Sequence, residues 1–221
     1  MRTLLAPLCL FAAIALNGQS VEAVLSRMDQ AAPNFHAVSA RITMTTHTAI
    51  IDDTTVESGT FKMQRLKGQD TRAVLDFSGQ RDARQIGFFG RIVRIYYPKL
   101  NSYQDIDVGK NSDVLNQFLL LGFGSSGKDL AASYKITAEG QEKLDGRETT
   151  KLLLVPNNPE VAKKLSKIEI WVPNDAAYPI QQKFYEPSGN YRIVTYSDVS
   201  LKPIKGKLEL KLPPGVKKQS S

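Results

Sequence analysis

The chain has 221 residues, of which 42% are hydrophobic, so it is long enough to bury a core, and its length favours one domain over two. It carries 29 basic and 22 acidic residues, and the net charge of +7 is compatible with nucleic acid or anionic membranes as partners. The basic residues are spread along the chain rather than clustered, which argues against a nucleic-acid-binding protein.

The first twenty residues, MRTLLAPLCLFAAIALNGQS, have the pattern of a secretory signal peptide. One arginine precedes an apolar run that is too short and too weakly flanked for a transmembrane helix. We therefore expect a signal peptide at 1–20 and a single exported domain at 21–221. The one cysteine, Cys9, lies in the leader, so the mature chain must be stable without disulfides.

The mature chain opens with SVEAVLSRMDQ at 20–30, whose apolar residues recur at helical spacing behind a serine that can cap a helix. The sequence then alternates between apolar and polar residues, which is typical of half-buried antiparallel strands. Three successive strands each have an apolar face: the first consists of Val38, Ala40, Ile42 and Met44, the second of Phe61 and Met63, and the third of Ala73, Leu75 and Phe77. The pattern predicts one large antiparallel sheet.

Further strands are predicted at 91–97, 103–108, 149–155, 167–172, 180–185, 191–198 and 207–212. Two helices interrupt them. Residues 111–113, Asn-Ser-Asp, can cap a helix over 114–121, and Asn158-Pro159 predicts a short helix through Lys164.

The loop FLLLGFGSSGKDL at 118–130 fits two phosphate-binding patterns, G-x-G-x-x-G and G-x-x-x-x-G-K. Its glycines follow a helix instead of opening one, and no parallel strand-helix-strand unit surrounds them. Asp129 also stands where a P-loop has Ser or Thr, and its charge would repel phosphate. The pattern therefore does not indicate a nucleotide site.

The predicted helix before this loop is apolar over most of its circumference, so it needs a covered position. It either plugs the core or forms a lid over a hydrophobic cavity, with the glycines as its hinge.

Taken in order, these segments resemble the LolA family of periplasmic outer-membrane lipoprotein carriers. After the opening helix come GTFKMQR at 59–65 and GRIVRIYYP at 90–98, then the capped leucine-rich helix, PSGNYRI at 187–193 and LELKLPPGV at 208–216. The resemblance implies an α+β fold, a half-open antiparallel β-barrel made of one large curved sheet with helices covering its concave hydrophobic face. It also implies that this face encloses the acyl chains of lipoproteins.

On this basis we expect residues of two regions to form the lipid-binding cavity. The sheet side consists of Ile42, Met44, Phe61, Met63, Leu75 and Phe77, and the lid side of Leu115, Phe118, Leu119 and Phe123.

The resemblance further implies an arginine that closes the lid, and Arg65 is the matching position. By alternation Arg65 shares the apolar face of Phe61 and Met63, where it needs acceptors such as carbonyls at a helix end. The alternative is that it curls to solvent at the strand end. The family's arginine is usually followed by proline, whereas Leu66 stands here.

The function implied is a monomeric periplasmic carrier that ferries lipoproteins from an inner-membrane releasing complex to an outer-membrane acceptor. A carrier or sensor of another lipid or hydrophobic molecule, and a peptide-binding interaction protein without carrier activity, stay open as alternatives. We expect no cofactor and no nucleic-acid partner.

Catalytic and metal-binding patterns are weak in this sequence, and we expect neither an enzyme nor a metal site. The mature chain has two histidines, His36 and His47, without metal-ligand spacing. Asp52-Asp53 marks a hairpin turn. Asp105 and Asp107 share a strand face, but no nucleophile motif accompanies them.

Overall fold

The computed structural model describes residues 20–66, 70–109 and 121–219. Among these, no helix is long and apolar enough to cross a membrane. The signal peptide expected at 1–20 lies outside the described residues except for Ser20. Most of the helix expected at 114–121 also lies outside them.

Helices α1 (Val21–Ala31), α2 (Gly127–Ser133) and α3 (Pro159–Ala162) each begin behind a polar cap. The Ser20 hydroxyl accepts a hydrogen bond from the Ala23 amide at 3.2 Å, which satisfies one of the amides that the first helical turn leaves without a partner. Ser126 and Asn158 cap α2 and α3 in the same way. The sequence predicted α1 and α3 but not α2, whose residues we had assigned to the loop.

The described residues form one sheet of twelve strands, antiparallel except for β12. In chain order they are β1 Ala37–Thr48, β2 Asp53–Arg65, β3 Thr71–Asp76, β4 Gln85–Phe89, β5 Ile92–Tyr97, β6 Ser102–Asp107, β7 Tyr134–Leu144, β8 Arg147–Pro156, β9 Lys167–Pro173, β10 Gln181–Tyr185, β11 Tyr191–Ser200 and β12 Lys217–Lys218. The spatial order is β12-β6-β5-β4-β3-β2-β1-β11-β10-β9-β8-β7. This large antiparallel sheet is what the alternation predicted, and its open, curved form is the half-open barrel that the resemblance implied.

Register explains why one face of the sheet is apolar. In the pairing of β1 with β2, Ala40 lies opposite Phe61 and Val38 opposite Met63, and in the next pairing Phe61 lies opposite Leu75. Alternate residues therefore line up across strands on what we call the inner face, as the period-two pattern predicted.

The sequence analysis missed three strands, β12 because it has only two residues and β4 and β7 because their alternation is poor. β4 carries adjacent aromatic residues, Phe88 and Phe89. β7 has apolar residues on one face only at its start, Tyr134 and Ile136, and its register shifts between Ala138 and Gly140.

The strand predicted at 207–212 is wrong. Leu208 and Leu210 are buried, yet the segment around them crosses the outer face of the sheet and has no ladder partner among the described residues. The Leu208 amide donates to Gln64 Oε1 at 2.8 Å, and Gln64 Nε2 donates to the Gly206 carbonyl at 2.8 Å. The alternation that we read as a strand reflects packing of alternate leucines against the sheet.

Candidate functional site

The inner face holds a continuous group of buried side chains that we call the inner-face cluster. It consists of Phe35, Val38, Ile42, Phe61, Met63, Ala73, Phe77 and Phe123, with Met44 and Leu75 packed against it. The structure thus brings together seven of the predicted cavity residues: Ile42, Met44, Phe61, Met63, Leu75, Phe77 and Phe123. The other three, Leu115, Phe118 and Leu119, lie outside the described residues.

Phe123 is 1% exposed and lies in the middle of this cluster. Its ring centroid is 4.9 Å from that of Tyr196 in an edge-to-face arrangement, 5.7 Å from Tyr178 in a stack, and 6.1 Å from Phe61. These geometries are favourable for aromatic pairs. Phe123 therefore covers the inner face beside Phe61, Tyr178 and Tyr196.

The backbone that carries Phe123, residues 121–124, forms the turn that we call the docked loop. Gly122 and Gly124 adopt left-handed conformations, with φ of 81° and 78°. A Cβ at Gly122 would lie 2.4 Å from Pro179, and one at Gly124 would lie 2.3 Å from the Phe35 ring. The glycines thus allow the loop to pack closely against Pro179 and Phe35.

Arg65 holds one end of the docked loop. Its Nη2 donates to the Gly124 carbonyl at 2.6 Å and its Nη1 to the carbonyl of Ala32, the C-cap of α1, at 3.4 Å. The guanidinium carbon lies 5.4 Å from the centroid of the Phe35 ring. Arg65 is therefore directed into the structure and not to solvent, with the helix-end carbonyl acceptor that its position required.

Burial lowers the pKa of Arg65, and the nearby charge of Asp129 opposes that shift. Arginine starts so far above neutrality that the side chain stays charged. Beyond it, the Leu66 amide donates to the Asp70 carbonyl at 2.8 Å. A proline at 66 could not make this hydrogen bond.

Gln182 holds the other end of the docked loop, and the sequence analysis missed it. It is 2% exposed, and its Nε2 donates to the Leu121 carbonyl at 2.6 Å. The hydroxyl of Tyr196 donates to Gln182 Oε1 at 2.7 Å. The available signal was the alternation of β10, which places Gln182 on the same face as Phe184.

A cavity of about 350 Å³ lies beside the docked loop, at the end of α1. Its lining includes Met28, Phe35, Phe123, Ala177 and Tyr178. This volume lies within the range of ordinary small-ligand pockets. Of the seven described residues that we predicted to line a cavity, Phe123 lines this one, and the other six pack within or against the inner-face cluster.

A second buried cluster lies under α1 and α2. It consists of Val24, Met28, Leu121, Leu130, Tyr134, Leu152, Leu154, Leu165, Ile168, Ile170 and Val172. Each fully buried aliphatic side chain contributes about 1.5–3 kcal/mol, so this cluster supplies a stable support for the docked loop. Leu121 belongs to it and Phe123 to the inner-face cluster, so the docked loop joins the two.

Three of the titratable residues weighed in the sequence, Asp105, Asp107 and His47, have ordinary structural partners. Arg94 binds Asp105 through two hydrogen bonds of 2.6 and 2.9 Å, and this pairing lowers the pKa of Asp105. Arg91 pairs with Asp107, and His47 stacks on Tyr191. Asp52 has a φ of 48° at the predicted hairpin turn. The described residues contain no cluster of three or more His, Cys, Asp or Glu that could hold a metal ion.

No protein-family model and no curated protein matches this sequence. Solved structures do match. An uncharacterised conserved protein from Thermus thermophilus is 12% identical over 91% of this chain and 99% of its own, with a TM-score of 0.53. MucB is 10% identical over 85% of this chain and 60% of its own, with a TM-score of 0.51.

A LolA superfamily protein from Nitrosomonas europaea is also among the matching chains, at 14% identity over 84% of this chain and 94% of its own, with a TM-score of 0.38. Identities at this level show similarity of fold alone. The open, mostly antiparallel sheet with an apolar inner face is the fold that the resemblance implied.

Proposed function

We propose that this protein is a non-enzymatic periplasmic carrier that binds the acyl chains of lipoproteins on the inner face of its sheet. The observation that supports this most is the position of Phe123 within the inner-face cluster, on a loop tied down by polar contacts from Arg65 and Gln182. An apolar surface that is covered by a replaceable side chain suits a protein that takes up apolar cargo and gives it back.

Moving acyl chains through water without a carrier costs a large free energy. Exposing a lipid chain to water costs about 0.8 kcal/mol per methylene, so a chain of about 15 methylenes costs on the order of 12 kcal/mol. A triacylated lipoprotein cannot cross an aqueous compartment at that cost without a protein that covers its chains.

For the cargo to be released, contacts within the carrier must compete with cargo binding. Loading would displace Phe123 from Tyr178, Tyr196 and Phe61 and break the hydrogen bonds to Arg65 and Gln182. These contacts return when the cargo leaves, so they offset part of the binding free energy. In the proposed cycle, an inner-membrane complex supplies the cargo and an outer-membrane acceptor receives it.

The test compares two charged substitutions on adjacent residues of β1. Met44 packs against the inner-face cluster, whereas Thr45 points to the opposite face. Purified mature protein is added to spheroplasts, released lipoproteins are quantified, and native mass spectrometry identifies the bound cargo. We expect Met44→Asp to lower loading by about tenfold or more, because a carboxylate against acyl chains is poorly solvated. Thr45→Asp should load like the unmodified protein.

Equal loading by both variants would contradict this use of the inner face. Release of no lipoprotein, with another lipid bound instead, would favour a carrier or sensor of that lipid. A protein that binds neither, but binds a peptide at the docked loop, would favour the interaction protein.

A further inference from the structure

Gln182 and Tyr196 are a polar pair within an otherwise apolar surface. In the ladder, Gln182 lies opposite Ile170 of β9 and Val194 of β11, and Tyr196 lies opposite Ile42 of β1. Gln182 is 2% exposed and Tyr196 is half-buried, and Ile170 and Ile42 beside them are buried. Polar side chains in such surroundings need hydrogen-bond partners.

When the loop is docked, Tyr196, Gln182 and the Leu121 carbonyl form a chain of hydrogen bonds. Tyr196 donates to the Gln182 carbonyl oxygen, and the Gln182 amide nitrogen donates in turn to the Leu121 carbonyl. Among the described residues, every buried side-chain nitrogen and oxygen has a hydrogen-bond partner. Burial also raises the pKa of Tyr196, so its hydroxyl remains a neutral donor at physiological pH.

Displacement of the docked loop would remove the Leu121 carbonyl and leave the Gln182 amide donor unsatisfied. A buried donor without an acceptor is costly, and an apolar chain has no atom that can accept its hydrogen bond. The ester or amide carbonyl at the head of an acyl chain supplies an acceptor for the Gln182 amide. Its oxygen has the same kind of lone pairs and geometry as the Leu121 carbonyl that it would replace.

We propose that Gln182, oriented by Tyr196, is a carbonyl-binding subsite that exchanges the Leu121 backbone carbonyl for the ester or amide carbonyl of an acyl chain. This inference rests on the proposed function, since it concerns how the same site recognises its cargo. It assigns the cargo class as carbonyl-linked acyl chains, in preference to ether-linked or unsubstituted hydrocarbon chains of the same length.

The experiment measures selectivity between two lipids that differ only in this carbonyl. Dipalmitoyl phosphatidylethanolamine and its dihexadecyl ether analogue are each titrated against protein loaded with N-phenylnaphthylamine, a fluorescent probe that has no carbonyl. We expect the ester lipid to displace the probe at about tenfold lower concentration, which corresponds to about 1.4 kcal/mol.

Two variants and one control identify the source of that selectivity. Gln182→Met keeps the side chain's length and removes its amide, and Tyr196→Phe removes only the hydroxyl. Gln181→Met makes the same change one residue away, on the opposite face of β10, where Gln181 pairs with Thr195. The readout is the ratio of ester to ether displacement, because any effect on the stability of the docked loop acts on both lipids equally.

We expect Gln182→Met to abolish the ester preference, Tyr196→Phe to reduce it, and Gln181→Met to retain it. Equal displacement by the two lipids with the unmodified protein, or a preference that survives Gln182→Met, would overturn the subsite and leave the carrier proposal standing. Displacement by neither lipid would overturn the carrier proposal, and the subsite with it.

Discussion

Arg65 holds the docked loop through a charged group, because its guanidinium donates a hydrogen bond to the Gly124 carbonyl. Hydrogen bonds to charged groups contribute about 1.5–3 kcal/mol, and here they stabilise the arrangement in which Phe123 covers the inner face. If cargo must displace Phe123, only molecules whose loop is undocked can bind it. The apparent affinity is then the intrinsic affinity multiplied by the fraction of undocked molecules. We therefore predict that Arg65→Met raises the affinity for N-phenylnaphthylamine by about tenfold.

Fluorescence titration of the probe measures this change, and Arg41→Met is the matched control. Arg41 lies on the outer face of β1, where it is 70% exposed and pairs with Asp198. Exposed ion pairs contribute about 0–1 kcal/mol, so its loss should leave probe affinity unchanged. Unchanged affinity in Arg65→Met, with the protein folded, would show that the arginine does not stabilise the closed arrangement.

These residues also show how far sequence reasoning reaches at a single position. Alternation was enough to place Arg65 beside Phe61 and Met63 on the inner face, because a strand's geometry fixes which way each side chain points. Its acceptor, the Gly124 carbonyl, lies 59 residues away along the chain, so no local pattern could identify it. Gln182 had the same periodic signal but was passed over, since glutamine in a strand is ordinarily solvated.

At the scale of elements, the packing of α2 against α1 depends on one glycine. A Cβ at Gly127, the first residue of α2, would lie 2.3 Å from the Leu25 carbonyl oxygen in α1. That contact is with backbone, so the helices would have to separate. We predict that Gly127→Ala lowers the free energy of unfolding by about 1–3 kcal/mol, as overpacking of a core does.

Urea unfolding measures the change, with Gly79→Ala as the control. Gly79 has no atom within 4 Å of where its Cβ would lie, and its φ is not positive. Its substitution should alter the free energy of unfolding by less than about 0.5 kcal/mol. Similar midpoints for the two variants would mean that α2 can move from α1 without cost.

The missed helix α2 and the wrongly predicted strand around Leu208 have a common physical cause. Helix α2 is seven residues long, too short for a clear apolar periodicity, and tertiary contact with α1 stabilises it. The segment around Leu208 alternates like a strand, but the Leu208 amide donates to the side chain of Gln64 instead of to the backbone of a neighbouring strand. In both cases, partners distant in sequence decide the structure, whereas β1 and β2 carry their own pattern.

At the scale of the whole molecule, the two buried clusters divide the protein into a support and a binding face. The cluster under α1 and α2 contains Leu152, Leu154, Ile168 and Ile170, all fully buried, on the paired strands β8 and β9. The inner-face cluster contains the replaceable Phe123 and has half-buried neighbours such as Met44 and Leu75. We therefore expect cargo to rearrange the docked loop, including Leu121, and to leave the part of the support on β8 and β9 unchanged.

Hydrogen exchange followed by mass spectrometry, with and without saturating dipalmitoyl phosphatidylethanolamine, tests this division. We predict faster exchange in peptides that cover residues 121–126 when lipid is bound, because the contacts made by Leu121, Phe123 and Gly124 are lost. Peptides from β8 and β9 should exchange at their original rate. Faster exchange in both regions would indicate that loading loosens the whole domain. Unchanged exchange at 121–126 in loaded protein would mean that lipid binds without displacing Phe123, so the inner-face cluster would not be the binding surface.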